Sequence, residues 1–161
     1  MHRQWLNHIC VFLVLSLFSC TESAEVDVFL DVEDAKWSYS DFKVIEWDCK
    51  DTVARYDLLL NIRHQGSYEW QNIYLKVRVI DPAGKERVFL RSVMLSDKDG
   101  YWLGKGLGDW KVAAPVLIPQ LRSPMLGLHR IQLEQHMRVN PLEGVGQVGV
   151  KILKRPGKQS N

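Results

Sequence analysis

Cysteine is scarce in this 161-residue chain: Cys10, Cys20 and Cys49 are the three, and no two stand at a CxxC spacing. That excludes a disulfide-stapled scaffold and the redox or zinc sites that need closely spaced thiols. Excess charge is also lacking. With 21 basic against 19 acidic residues, a net +2, the chain has no nucleic-acid-binding footprint. Helical periodicity is hard to find, and there is no low-complexity tract or internal repeat. No GxSxG serine is present, and among His64, His129 and His136 no two stand at metal-ligand spacing. The chain is expected to be neither an enzyme nor a holder of metal or cofactor.

A long apolar run is missing too. The longest mostly apolar stretch is Trp5 to Phe18, interrupted by Asn7 and His8, whereas a spanning helix needs ~20 apolar residues. A short basic start, Met1-His2-Arg3-Gln4, this apolar stretch and a small Ser19 together have the layout of a signal peptide. Leu17-Phe18-Ser19-Cys20 resembles the lipobox of bacterial lipoproteins, in which cysteine sulfur accepts a diacylglyceryl group before cleavage. Residues 1–19 are read as the cleaved segment, Cys20 as the lipid attachment site and residues 20–25 as a tether. Two or three acyl chains hold firmly where one holds marginally, at about 0.8 kcal/mol per buried methylene. Thr21 stands where aspartate would retain an enterobacterial lipoprotein at the inner membrane, which favours the outer membrane. Cys49 is then left with no partner and is expected to be a small buried hydrophobe.

Period two dominates the rest. Tyr56, Leu58, Leu60 and Ile62 alternate with polar neighbours, as do Ile73, Leu75, Val77 and Val79, then Ile131 and Leu133, then Val148, Val150 and Ile152. Such alternation turns one face to a core and the other to water. Val26–Asp31, Phe42–Trp47, Val88–Leu95 and Val112–Ile118 are further strand candidates. Asp81-Pro82-Ala83-Gly84 predicts a hairpin turn. Pro115, Pro119 and Pro124 confine the stretch after Trp110 to an edge strand or a loop. These signals predict an all-β fold: an antiparallel β-sandwich of about eight strands over residues 26–155, with a jelly roll as one arrangement that fits, and a flexible tail at 156–161. The acids Glu22, Glu25, Asp27, Asp31, Glu33 and Asp34 and the bases Lys151, Lys154, Arg155 and Lys158 read as solvated ends.

The most unusual stretch runs from Ser96 to Trp110. Its glycines alternate at Gly104, Gly106 and Gly108, between Trp102 on one side and Asp109-Trp110 on the other. The GK[ST] ending of a phosphate loop is absent, and Asp97-Lys98-Asp99-Gly100 lacks the later ligands of a calcium loop. A packing role is favoured over a partner-docking role, with the glycines letting backbone pass beneath the two indoles. Trp37, Trp47 and Trp70 complete a large set of tryptophans, most of them expected in the core. Exposed tryptophans on a β-sandwich often stack on sugars, so a glycan-binding module is the rival function.

Several pieces, in one order, carry a family likeness. They are Tyr56-Asp57-Leu58 with Ile62-Arg63; Tyr68-x-Trp70-x-Asn72-Ile73-Tyr74-Leu75; and Gly100-x-Trp102-Leu103-Gly104-Lys105-Gly106-Leu107-Gly108-Asp109. Glu134-Gln135-His136-Met137-Arg138 and Gly144-Val145-x-x-Val148-Gly149 complete the set. Together with the lipobox, this run resembles the gliding-motility lipoprotein H (GldH) family of Bacteroidetes, with Glu69, His136 and Gln147 departing from its usual proline, alanine and aspartate. The resemblance implies a lipoprotein needed for surface gliding, associated with adhesin movement and type IX secretion, with other envelope proteins as partners and no enzymatic activity.

Overall fold

The computed structural model describes residues 24–155. The signal segment 1–19, Cys20 and the tail 156–161 lie outside the described residues. The strands are β1 (Val26–Asp31), β2 (Lys36–Trp37), β3 (Lys43–Cys49), β4 (Tyr56–Gln65), β5 (Asn72–Ile80) and β6 (Glu86–Met94). After these come β7 (Trp110–Ala113), β8 (Val116–Leu121), β9 (Gly127–Gln135), β10 (Leu142–Glu143) and β11 (Val145–Lys154). One sheet has the order β1-β11-β4-β7, with β8 also on β4; the other is β3-β9-β5-β6; β2 and β10 form a two-residue ladder. Every pairing is antiparallel.

The strand between Trp110 and Leu121 is broken where Ala114-Pro115 intervenes, so the Val112–Ile118 strand read from the sequence is two pieces. Pro115 lacks an N–H but its carbonyl still accepts from Leu60 N at 2.9 Å. Both pieces lie on the outer flank of β4, the edge position that the prolines predict. If β7 and β8 count as one broken strand and the β2–β10 ladder is set aside, each sheet has four strands. They run first-eighth-third-sixth in one sheet and second-seventh-fourth-fifth in the other, which is the order of a jelly roll.

The alternating residues meet between the sheets. Leu58, Leu60 and Ile62 of β4 stand opposite Ile152, Val150 and Val148 of β11, and face Ile73, Leu75, Val77 and Val79 of β5 across a single apolar core. Trp37 and Trp47 are buried there, and Cys49 lies beside the Tyr56 hydroxyl at 4.0 Å with 1% of its surface open. The Asp81–Lys85 turn joins β5 to β6, with Gly84 at φ +83° and the Asp81 carboxylate accepting from the Ala83 and Lys85 amides.

The charged ends are not merely solvated. Antiparallel pairing of β1 with β11 sets Lys151 Nζ 3.0 Å from Asp27. Lys154 reaches Asp51 at 2.8 Å, and Arg155 reaches Asp57 at 2.6 Å. Asp51 is held down at about 2, first by the Lys154 hydrogen bond and then by the amides of Ala54 and Val53.

Candidate functional site

Two regions gather at one end of the sandwich. The first is the glycine-rich loop. Asp97 Oδ1 accepts from the amides of Asp99 and Tyr101, both at 2.9 Å, so this carboxylate closes a tight turn, with Gly100 at φ +88°. Leu103 N bonds Leu95 O, while Lys105 and Val112 exchange both backbone bonds, so the loop folds back as a small ladder against β7. A Cβ on Gly104 would stand 2.8 Å from Val112 O, and one on Gly106 would stand 2.0 Å from Trp110 O. Gly108 has open space around it and a φ of +64°. Two of the three glycines therefore serve close backbone approach and the third serves a left-handed turn.

The glycine under the Trp110 indole is a different one. A Cβ on Gly146 would lie 2.5 Å from a Trp110 ring carbon, and the Arg63 guanidinium sits 5.2 Å from the ring centroid on the outer face of the sheet. The loop glycines do not lie beneath both indoles as expected: Gly104 and Gly106 pack on the backbone of 110–112, and Gly108 packs on nothing. Asp109 is tied through its carbonyl to Gly66 N at 2.6 Å.

Trp102 is half-buried and sets its ring edge-on to His64 at 4.6 Å. His64 is fully buried; its Nδ1 faces the Gln65 carbonyl at 2.9 Å, so that nitrogen carries the proton. Nε2 finds no hydrogen-bond partner among the described residues. Burial lowers the His64 pKa, against the Gln65 carbonyl bond and with help from Lys111. The sign of the consequence is definite. The unfolded chain takes up the proton near an ordinary histidine pKa of ~6.5 and the folded chain resists it, so stability is complete above that pH and declines below it. Thermal melts from neutral to mildly acid pH are expected to show this decline, and His64→Gln is expected to flatten it. The paired aspartates lose their contributions only at lower pH, below about 4.

The second region is a groove of about 980 Å³ lined by Tyr39, Trp70, Asn72, Tyr74 and the stretch Glu134–Arg138. Its size stands at the upper end of ligand clefts, ~300–1,000 Å³. The stretch continues beyond β9 because Gln135, 2% exposed, organises it: Oε1 accepts from Met137 N, and Nε2 donates to the carbonyls of Val139 and Trp37. Met137 Sδ in turn accepts from Tyr74 N at 3.2 Å, and His136 N bonds Tyr74 O. The Tyr39 hydroxyl closes the far wall on Met137 O at 2.7 Å. His136 and Arg138 point outward from this frame and are exposed. Trp70, 39% exposed, divides the groove from a smaller hollow containing Glu69 and Glu143.

From the sequence, Trp70 was one tryptophan among several, and Tyr39, Tyr74 and Arg138 carried no signal of their own. They meet because β5 and β9 are neighbours in the sheet, while Tyr39 arrives from about a hundred residues away along the chain, its hydroxyl and backbone N–H fixed to Met137 and Asn140.

One further pair went unnoticed in the sequence. Ser123 Oγ lies 2.6 Å from His129 Nε2, and His129 Nδ1 faces Gly127 O at 2.8 Å. Both side chains are fully buried, with His129 against the Trp47 ring. No carbonyl can approach this serine, and the pair acts as an internal clamp on the turn that leads into β9.

The family model described as GldH lipoprotein matches residues 25–152. A protein named gliding motility lipoprotein GldH homolog, from Christiangramia forsetii, is 27% identical over 153 residues, covering 91% of this chain and 93% of the relative. A gliding motility lipoprotein GldH from Flavobacterium johnsoniae is 24% identical over 151 residues, covering 89% of this chain and 93% of the relative. No solved structure matches the chain.

Proposed function

The chain belongs to the GldH lipoprotein family, and from that premise we propose that it is a non-catalytic structural or assembly component of a gliding-motility apparatus, lipid-anchored at the outer membrane. Its partners are other envelope proteins of motility or type IX secretion. The observation that carries this reading is the extent of the match, residues 25–152, which begins five positions after the lipobox cysteine.

The anchor position also orients the molecule. Cys20 precedes Val26 by a tether that spans at most about 20 Å when fully extended. Val26 pairs with Ile152, beside Leu58 and Tyr56 at the start of β4. The loop and the groove sit at the other end of β4, around His64 and Gln65, roughly 20 Å further along from Leu58. Both surfaces therefore lie at the end of the sandwich remote from the strand that follows the tether.

The test is the anchor. Cys20→Ser is expected to abolish metabolic labelling with fatty acid, because a hydroxyl cannot form the thioether, and to leave the precursor uncleaved. Unchanged labelling overturns the lipoprotein reading, and recovery of the labelled protein in the inner-membrane fraction overturns its placement. A second reading, a lipid-anchored glycan-binding module, draws on one specific observation: three half-exposed aromatic side chains border one groove.

A further inference from the structure

Tyr39, Trp70 and Tyr74 keep 43, 39 and 48% of their surfaces open around a shared groove. A fold that has buried Trp37 and Trp47 has no need of these three rings for its core. Each combines a flat apolar face with a polar tip. A pyranose ring has the matching form: an axial C–H face that stacks on an aromatic plane, and a rim of hydroxyls that bond to nearby polar groups.

The charges narrow the ligand further. Glu134 is held by Arg78 at 2.9 Å and by Lys76 at 3.8 Å, and Arg78 is shared with Glu86 at 3.5 Å. Two cations thus answer two carboxylates on this face of the sheet. Glu69 and Glu143 belong to the hollow beyond Trp70, where Glu143 lies 3.6 Å from Lys36. Among the described residues Arg138 remains at the groove as the charge without an ion-pair partner, with the exposed His136 imidazole beside it. A guanidinium presents a planar fork that fits a carboxylate with two parallel hydrogen bonds.

We propose that this groove binds an acidic polysaccharide, its pyranose rings stacked on Trp70 and Tyr74 and a uronate carboxylate held by Arg138. The proposal rests on the glycan-binding reading and gives it a ligand class. Because the groove opens at the end of the sandwich away from Val26, a long chain can lie across it without meeting the membrane.

The experiment titrates the full-length lipidated protein, in detergent micelles, with polygalacturonate and with a neutral β-glucan of similar length, read by calorimetry and tryptophan fluorescence. Polygalacturonate is expected to bind saturably, and more weakly as salt rises. Trp70→Ala is expected to raise Kd about tenfold or more. Arg138→Gln is expected to raise it about fivefold and to remove most of the salt dependence. Thermal melts are expected to leave Arg138→Gln at the parent value, since that side chain is exposed, and Trp70→Ala lower but fully folded at the temperature of the titration, since its indole is partly covered. Equal binding of the neutral glucan, with Arg138→Gln silent, overturns the acidic ligand and leaves the glycan reading standing. Binding that survives Trp70→Ala combined with Tyr74→Ala shows that this groove is not the site. If neither polysaccharide binds, the glycan reading falls together with the proposal, while the family assignment and the lipid anchor are untouched.

Discussion

Gly106→Val is expected to destabilise the folded protein by about 3 kcal/mol or more, the upper part of the range for overpacked sites. In a melt this is a loss of roughly 10 °C. A Cβ at this position would stand 2.0 Å from Trp110 O and 3.3 Å from Lys111 Cα. Both are backbone atoms, so no flexible side chain can swing aside. Relief requires opening the Lys105–Val112 ladder, and that frees backbone groups which the fold keeps paired. Gly108→Ala is the matched control. Its surroundings are open and its φ is +64°, so the cost there is the left-handed strain alone, about 1 kcal/mol. If Gly106→Val melts within a degree or two of the parent, the close approach across the loop is misassigned and the loop is free to dock a partner.

This loop also marks where reading from sequence reached its limit. Glycine at every second position announced tight packing, but periodicity does not say what is packed against. The atoms that exclude a side chain at Gly104 and Gly106 belong to 110–112, within the same ladder, and the glycine beneath Trp110 comes from β11. Strand assignment went further, because alternation is a local property that each strand states for itself. Tyr56–Gln65 and Asn72–Ile80 lie where their period-two patterns put them. The break in the strand after Trp110 follows Pro115, and the ladder of β2 on β10 left no signal, since two residues are too few for a period. The groove was illegible for a different reason. Tyr39 and Arg138 are separated by about a hundred residues, and only the β5–β9 pairing and the Gln135 frame bring their neighbours together. The family-like segments Tyr68–Leu75 and Glu134–Arg138 both border that groove, but as sequence they stood far apart and only the loop from Trp102 to Trp110 was singled out as a site.

Gln135→Leu is expected to cost about 3 kcal/mol, as much as removing a large core side chain, although the two residues are similar in size. Gln135 is 2% exposed, and its amide serves three backbone groups: it accepts from Met137 N at 2.9 Å and donates to Val139 O at 3.0 Å and Trp37 O at 3.4 Å. Leucine fills the space but leaves one buried donor and two buried acceptors without their partner, and each such group costs roughly 1–3 kcal/mol before relaxation. The two carbonyl bonds are unequal, 3.0 and 3.4 Å, so the longer one adds little and the total stays near the figure given. Gln135→Glu separates the components, because its carboxylate still accepts from Met137 N but sets a buried anionic oxygen against the two carbonyls; its melting temperature at neutral pH is expected at or below that of the leucine variant, rising toward the parent in acid, where the carboxyl takes up a proton it can donate. His136→Ala, one position along and exposed, is expected to stay within about 0.5 kcal/mol of the parent. That contrast explains a departure noted in the sequence: in the family-like Glu-Gln-x-Met-Arg segment, the position that differs is the one facing solvent, while Gln135 and Met137 hold the frame from inside. Should Gln135→Leu melt like the parent, the 136–140 turn is held by Tyr39 and Tyr74 alone, and the groove has a looser wall than the hydrogen bonds imply.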